Sequence, residues 1–293
     1  MIFGWIMTAV CVALWFGFYL YRKNLNRSIA KLSEQIHMIM HGYDGYDLHV
    51  FKEGEFYILQ NEVQKMTLRI REQNDALIKD KQYLADSLAD IAHQLRTPLT
   101  SANLILSFLE RSPNVRELEE LLVRMDWLIT SLLKISRLDA GVVAFQHEPV
   151  SVYGLIESAL RPLAIPMELH NIDVQMEVPK DAAIQGDLGW LTEAVQNILK
   201  NCMESVGENG KIEIACTENN LYTELMIHDS GAGFAQEDLL RLFDRFYRGK
   251  NDSAVGYGIG LALCKMIVTR QGGTITAKNH PQGGAVFMIR FNH

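Results

Sequence analysis

Five short segments carry side chains suited to chemistry. His93 lies in Asp90-Ile91-Ala92-His93-Gln94-Leu95-Arg96-Thr97-Pro98-Leu99. A free imidazole titrates at about pH 6.5, so at neutral pH much of it is an uncharged nucleophile. Gln94 beside it accepts a hydrogen bond through its carbonyl oxygen and so holds a tautomer, but it takes up no proton at neutral pH. Asn197 and Asn201 occupy Gln196-Asn197-Ile198-Leu199-Lys200-Asn201, a spacing of four that puts both amides on one helical face. Amide oxygens suit Mg²⁺, a hard cation, and equally suit a structural role against a sheet. Asp229 opens Asp229-Ser230-Gly231-Ala232-Gly233 directly after a strand-like run. A carboxylate there accepts a hydrogen bond from an exocyclic amine, and Gly231 and Gly233 permit close approach. The fourth segment, Leu242-Phe243-Asp244-Arg245-Phe246-Tyr247-Arg248, contributes Phe243, Phe246 and Arg248. The fifth, Gly256-Tyr257-Gly258-Ile259-Gly260-Leu261, precedes a helix and offers backbone N–H groups to phosphate. It is not a Walker loop, since no Gly-Lys-Ser/Thr follows, and the Rossmann context of strand, loop and parallel helix is missing.

These segments need elements to hold them. From Ile2 to Tyr21 no residue is charged, and a helix of that length reaches about 30 Å, the thickness of a bilayer core. Trp5, Trp15, Phe18, Tyr19 and Tyr21 put rings toward its ends, and Arg22, Lys23, Arg27 and Lys31 follow at once. That asymmetry predicts an uncleaved single-pass anchor with the rest of the chain in the cytoplasm and no outer domain. A cleaved signal peptide needs a positive N-terminal region and a small-residue cleavage site, and neither is present.

Helical runs come next. Leu25, Ile29, Leu32, Ile36 and Ile39 recur at spacings of 3 and 4 before the turn-rich His41-Gly42-Tyr43-Asp44-Gly45-Tyr46-Asp47. A second run carries Leu59, Val63, Met66, Ile70, Leu77, Leu84, Leu88, Ile91 and Leu95, the seam of a coiled coil and so of a dimer. His93 falls between two seam residues and need not face the core. Pro98, inside the helical pattern, should bend the helix just past His93. Ser112-Pro113-Asn114 then breaks the pattern, and a helix over about 115–139 closes on Gly141. Two such helices from each of two chains make a four-helix bundle. Beyond Glu148, alternation at Ile172–Val178, Ile212–Ile214, Tyr222–Ile227 and Val286–Phe291, with helices near 187–206 and 258–271, predicts a mixed sheet covered on one face, an α+β sandwich.

Composition adds exclusions. The 293 residues carry a net charge of −7, which argues against a nucleic-acid binder held by phosphate contacts. Cys11, Cys202, Cys216 and Cys264 have no paired spacing, so neither a zinc site nor a disulfide framework is expected. His37 and His41, four apart, lack a third ligand and read as surface histidines. The mean hydropathy of +0.00 is the sum of an apolar span and a more polar remainder.

Taken together, the segments resemble the sensor histidine kinases. His93-Gln94-Leu95-Arg96-Thr97-Pro98-Leu99 looks like the phosphoacceptor box of their dimerisation domain. The four later segments, in order, resemble the N, G1, F and G2 boxes of their ATP-binding domain, of the Bergerat or GHKL type. The resemblance implies that His93 is the phosphoacceptor and that Thr97 positions water to dephosphorylate the partner. It implies further that Asn201 binds Mg²⁺ with Asn197 beside it, and that Asp229 contacts adenine. Arg248 would approach the γ-phosphate, while Gly256, Gly258 and Gly260 line a mobile lid; Gly231, Gly233, Phe243 and Phe246 complete the ATP-binding set. Three positions depart from the family. Gln94 stands where an acidic residue takes the imidazole proton, and Glu204 and Ser205 replace the usual lysine and aromatic or histidine.

The organisation expected is an anchor (1–21), a signalling linker (22–80) and a dimerisation and phosphotransfer domain (81–145), followed by an ATP-binding catalytic domain (146–293). The linker resembles a HAMP module in Glu55-Phe56-Tyr57-Ile58-Leu59 and Met66, without the proline usual in the first helix, and a plain two-helix linker serves as well. The function implied is ATP-dependent autophosphorylation on His93 and transfer to an aspartate of a response regulator. The expected partners are a second copy, that regulator, the bilayer and a membrane protein acting as sensor. One rival is an ATP-binding scaffold acting mainly as a regulator phosphatase, motivated by Gln94 and Glu204. A second is an ATPase of the gyrase, chaperone or mismatch-repair type, which has no reason to carry the phosphoacceptor box or an anchor.

Overall fold

The computed structural model describes residues 2–40, 55–109, 112–249 and 258–293. The chain divides into two compact units, Met1–Ala76 and Leu77–His293. In the first unit, α1 (Ile2–Met40) is a single helix of 39 residues. Its stretch Trp5–Arg27 is long and apolar enough to cross a membrane, and none of that stretch is buried against protein. Trp15 and Tyr19, one turn apart, stack at 5.9 Å. The helix runs on through Arg22 and Lys23, so the change of composition near residue 21 is a change of surface and not of backbone. The turn-rich segment 41–47, and with it His41 of the pair His37 and His41, lies outside the residues that can be described. A long α2 (Glu55–Ser107) follows.

In the second unit, the later part of α2 packs against α3 (Pro113–Ala140) as an antiparallel hairpin. Ser112 caps α3 by accepting from the Val115 N–H at 3.3 Å, and Pro113 occupies the first turn, where its missing donor costs nothing. Gly141 ends it in the left-handed conformation at φ 71°. The buried residues of α2 are Ala85, Ala92, Leu99 and Leu106, one every seven positions. Of these, Leu99 and Leu106 pack with Leu122 of α3, and Val115 and Ile129, seven residues to either side of Leu122, join the same cluster. The seam anticipated through Leu77, Leu84, Ile91 and Leu95 is a different row, and it is exposed in the single chain. The two rows divide the work: alanines and leucines close the hairpin, and the larger residues face outward.

After α3 the chain forms β1 (Glu148–Ser151), α4 (Val152–Leu160), a 3₁₀ turn (Arg161–Leu163), α5 (Ala164–Leu169), β2 (Asp173–Glu177), β3 (Ala183–Gly186) and α6 (Leu188–Val206). It continues with β4 (Lys211–Glu218), β5 (Tyr222–Asp229), α7 (Gly260–Arg270), β6 (Gly273–Asn279) and β7 (Ala285–Asn292). Five strands make one sheet in the order β2-β4-β5-β7-β6, with β2 parallel to β4 and the other pairs antiparallel. β1 and β3 form a separate antiparallel pair. Helices α4, α6 and α7 cover one sheet face in a single apolar core that includes Ile156, Ile198, Leu199, Ile227, Leu263 and Phe287. Alternation fixes the inward face of β5 as Thr223, Leu225, Ile227 and Asp229, so a carboxylate follows directly on two buried aliphatic residues.

The same core takes in Ile135 and Leu138 of α3. Polar contacts surround that junction. Lys134 pairs with Glu193 of α6 at 2.6 Å, Arg245 with Asp139 at 2.5 Å, and Arg270 donates to the Asp139 carbonyl at 3.2 Å.

Candidate functional site

The first site is one face of α2. His93, Gln94 and Thr97 are all exposed, while Ala92, next to the histidine, is buried in the hairpin. Arg96 pins the height of this face by reaching Asp126 at 3.6 Å and the Thr130 hydroxyl at 3.4 Å on α3. Pro98 removes the donor that the Gln94 carbonyl would use in a regular helix, yet α2 continues unbroken to Ser107. Three hydroxyls bond back to carbonyls around it: Thr97 to His93 at 3.3 Å, Thr100 to Arg96 at 2.9 Å and Ser101 to Thr97 at 3.1 Å. The His93 ring therefore projects from a rigid, solvent-facing helix with no carboxylate in the adjacent position.

The second site lies at the open end of the sheet. Asp229 is 0% exposed at the end of β5. Its Oδ1 accepts from the Gly231 N–H at 2.8 Å, the Ala285 N–H at 3.3 Å and the Ser205 hydroxyl at 3.5 Å. Its Oδ2 is buried and has no hydrogen-bond partner among the described residues. An unsatisfied buried oxygen costs about 1–3 kcal/mol or more, so this one is suited to an outside donor such as an exocyclic amine. The buried Cys202 thiol lies near this carboxylate; burial first, and then the Asp229 charge, hold its pKa well above the ordinary thiol value. It stays a protonated, apolar wall.

Asn197 and Asn201, both half-buried, follow one another on α6. The Asn197 amide donates to the Glu193 carbonyl at 2.9 Å, and its Oδ1 faces Gly260 at the start of α7. An amide oxygen thus lies beside the N-terminal end of α7, a donor type that suits a hard cation. The departures from the family pattern have partners here: Glu204 lies 3.9 Å from Lys200, and Ser205 joins Asp229.

Turns run through residues 236–246. Phe243 packs on the core, while Phe246 is exposed at φ 61° and donates its N–H to the Gly258 carbonyl at 2.9 Å. Gly258, at φ 68°, must lack a side chain, because a Cβ would lie 2.3 Å from the Tyr247 carbonyl oxygen. The segments carrying Phe246 and Gly258 are thus joined through backbone. Arg248 is exposed on the same turn, Gly231 and Gly233 follow Asp229, and Gly256 lies outside the described residues.

Three contributors were missed in the sequence. Asp238 is buried and accepts from the Tyr247 hydroxyl at 2.7 Å, holding the turn that bears Arg248. Glu193 and Lys134 join the two sites' elements. Each is a single charged residue whose partner is distant or lies across a turn, so no local pattern marks it.

Two family models match the chain. "His Kinase A (phospho-acceptor) domain" covers residues 83–141, and "Histidine kinase-, DNA gyrase B-, and HSP90-like ATPase" covers 186–293. The signal transduction histidine-protein kinase BaeS of Escherichia coli K12 is 28% identical over 239 residues, 78% of this chain and 51% of BaeS. The chain thus spans about half the length of that relative. Full-length ShkA, solved in complex with AMPPNP, shares the fold at a TM-score of 0.57 and 22% identity, over 70% of this chain and 45% of that one. ThkA, solved in complex with the response regulator protein TrrA, shares it at a TM-score of 0.53 and 20% identity, over 83% of this chain and 68% of that one.

Proposed function

The chain belongs to the sensor histidine kinases, and from that premise we propose that it transfers the γ-phosphoryl group of ATP to His93 and then to an aspartate of a response regulator. The observation that carries this reading is the Asp229 carboxylate, buried with one oxygen unspent at the mouth of the ATPase fold. An acceptor placed there pairs with the exocyclic amine of adenine. The triphosphate then extends toward Asn197, Asn201 and the turn bearing Arg248.

In the transfer, a His93 ring nitrogen forms a bond to the γ-phosphorus as the bond from that phosphorus to the β,γ-bridging oxygen breaks, releasing ADP. Positioning and charge neutralisation lower the barrier of such a step. Mg²⁺, when bound, would neutralise phosphate charge, and Asn201 with Asn197 are the residues placed to hold it. The imidazole proton leaves to solvent, because Gln94 accepts a hydrogen bond and not a proton. Exposure of His93 makes that route available. The fold's likeness to ThkA, itself solved with a response regulator, supports regulator docking on the hairpin. Thr97 serves dephosphorylation of the regulator once its hydroxyl turns from the His93 carbonyl.

The exposed row Leu77, Leu84, Ile91 and Leu95 supports a homodimer in which the hairpins pair as a four-helix bundle. The unburied apolar stretch Trp5–Arg27, followed by basic residues, supports a membrane anchor with the kinase domains in the cytoplasm. A scaffold that binds ATP and acts mainly as a regulator phosphatase is the second reading, favoured by Gln94 and by Glu204. Incubation of the full chain with γ-labelled ATP separates the two. Acid-labile, base-stable label that is lost in His93→Gln supports the kinase; ATP binding without label overturns it in favour of the scaffold.

A further inference from the structure

The loop after β5 and the turn between β6 and β7 interlock beside Asp229. The turn's Gly284, at φ 85°, presses against the strand so closely that a Cβ would fall 1.7 Å from the Asp229 carbonyl oxygen. Ala285 then donates its N–H to Asp229 Oδ1. Asp229 is therefore held from its own loop through Gly231 and from the opposite turn through Ala285. The direction in which Oδ2 points depends on how these two segments stand relative to each other.

One side chain bridges them. The Asn279 Oδ1 accepts from the Phe234 N–H at 2.8 Å, and the Asn279 Nδ2 donates to the Phe234 carbonyl at 2.7 Å. A side-chain amide that gives and takes with one backbone residue acts as a peptide group would, adding a rung beyond the last residue of β6. Asn279 is also the register partner of Ala285, so the bridge starts at the rung that delivers the Ala285 N–H. On the far side, the Phe234 ring packs edge-on to Phe287 of the core at 5.8 Å. Loop, turn and core are closed into one ring of contacts through Asn279.

We propose that Asn279 is a positioning residue for base selection: by clamping the Phe234 backbone it fixes the loop that aims Asp229 Oδ2, and so sets preference for a purine with an exocyclic amine at position 6. Asn279 itself does not touch the nucleotide. This rests on the reading of Asp229 as the adenine acceptor. Aspartate at 279 keeps the acceptor and loses the donor, whereas alanine loses both.

The test uses the full chain in detergent micelles, with two readouts. Without nucleotide, hydrogen exchange at the Phe234 and Gly231 amides should speed up at least tenfold in Asn279→Ala and less in Asn279→Asp, with the melting transition retained. With nucleotide, affinities for ATP and for inosine triphosphate, which carries an oxygen in place of the amine, are compared. The wild type should favour ATP by tenfold or more, and Asn279→Ala should shrink that ratio several-fold by losing ATP affinity, with Asn279→Asp between. Unchanged exchange in Asn279→Ala, or equal losses for both nucleotides, overturns the positioning role. A wild type that does not distinguish the two nucleotides overturns the adenine reading itself, and the exchange readout still reports whether the clamp exists.

Discussion

The Lys134 ammonium on α3 lies 2.6 Å from the Glu193 carboxylate on α6, one turn before Asn197, whose amide donates to the Glu193 carbonyl. The hairpin is thereby tied to the helix that carries Asn197 and Asn201. Both side chains are part-exposed, so the pair is worth about 0.5–1 kcal/mol. A double-mutant cycle of Lys134→Ala and Glu193→Ala on chemical unfolding of the full chain should return a coupling in that range. If, as the proposed transfer implies, the ATPase domain must leave this contact to deliver phosphate to His93 on the other hairpin helix, breaking the pair favours the reaction. Lys134→Ala should therefore raise the autophosphorylation rate about two- to fivefold, the factor that 0.5–1 kcal/mol represents. A fall in rate would instead make the docked arrangement the productive one.

Gln94 gives a second prediction. It is exposed beside His93 and neutral, so proton removal from the imidazole lacks a built-in acceptor. Gln94→Glu places a carboxylate there without disturbing packing. The single-turnover autophosphorylation rate should rise about tenfold, less than the roughly hundredfold or more of a well-positioned general base, because the site is open to water. ATP affinity, which the proposed function assigns to the Asp229 site and not to this helix face, should not change. An unchanged rate would remove the argument that the missing base limits this enzyme.

Much of this arrangement was legible from sequence because it follows from periodicity and from short motifs. The strands carrying Ile212 and Ile214, Tyr222 to Ile227 and Val286 to Phe291 alternate clearly, and all three are central in the sheet. β1, β3 and β6 were not anticipated: the first two are four residues long, and β6 is an edge strand with few inward apolar residues. The seam through Leu84 and Ile91 was visible as large apolar residues, while the row Ala85, Ala92, Leu99 and Leu106 was not, because alanine fits any helix face. In the site, Asp229 and the asparagines stand in recognisable contexts. Asp238 and Asn279 act through partners that only the folded chain brings near, at Tyr247 and Phe234.

Glu213 supplies a pH prediction. Hydrogen bonds from Lys211 first, and then from His228, hold its carboxyl below the ordinary value of 4.5. A lowered folded-state pKa means the contribution is present above about pH 4.5 and is lost as the pH falls through the folded value. Wild-type stability should therefore drop on acidification below that point, with a shallower drop in Glu213→Gln. Lys211→Met should move the Glu213 midpoint upward more than His228→Phe does. Carboxyl titration by NMR together with denaturant unfolding at pH 5 and below reads both; a Glu213 midpoint indifferent to Lys211 would refute the assignment.

The two rows on α2 allow assembly to be separated from folding. Leu84 and Ile91 are 59% and 51% exposed, so a charge at either meets water in the single chain. If these residues form the contact with a second copy, Leu84→Glu with Ile91→Glu puts like charges into the bundle centre and should yield a monomer by light scattering. The monomer should retain its melting transition and its ATP affinity, since neither residue touches the nucleotide domain's core. Autophosphorylation should fall at least tenfold if His93 is served within the dimer. Ala92, one residue further and 4% exposed, provides the contrast. Ala92→Glu buries an unpaired carboxylate between α2 and α3, costing about 3 kcal/mol or more, and should melt the hairpin itself. A Leu84→Glu, Ile91→Glu protein that remains dimeric would show that the exposed row is not the partner-facing one, and the bundle would have to be built on the outward residues of α3, Leu118, Leu121 and Met125.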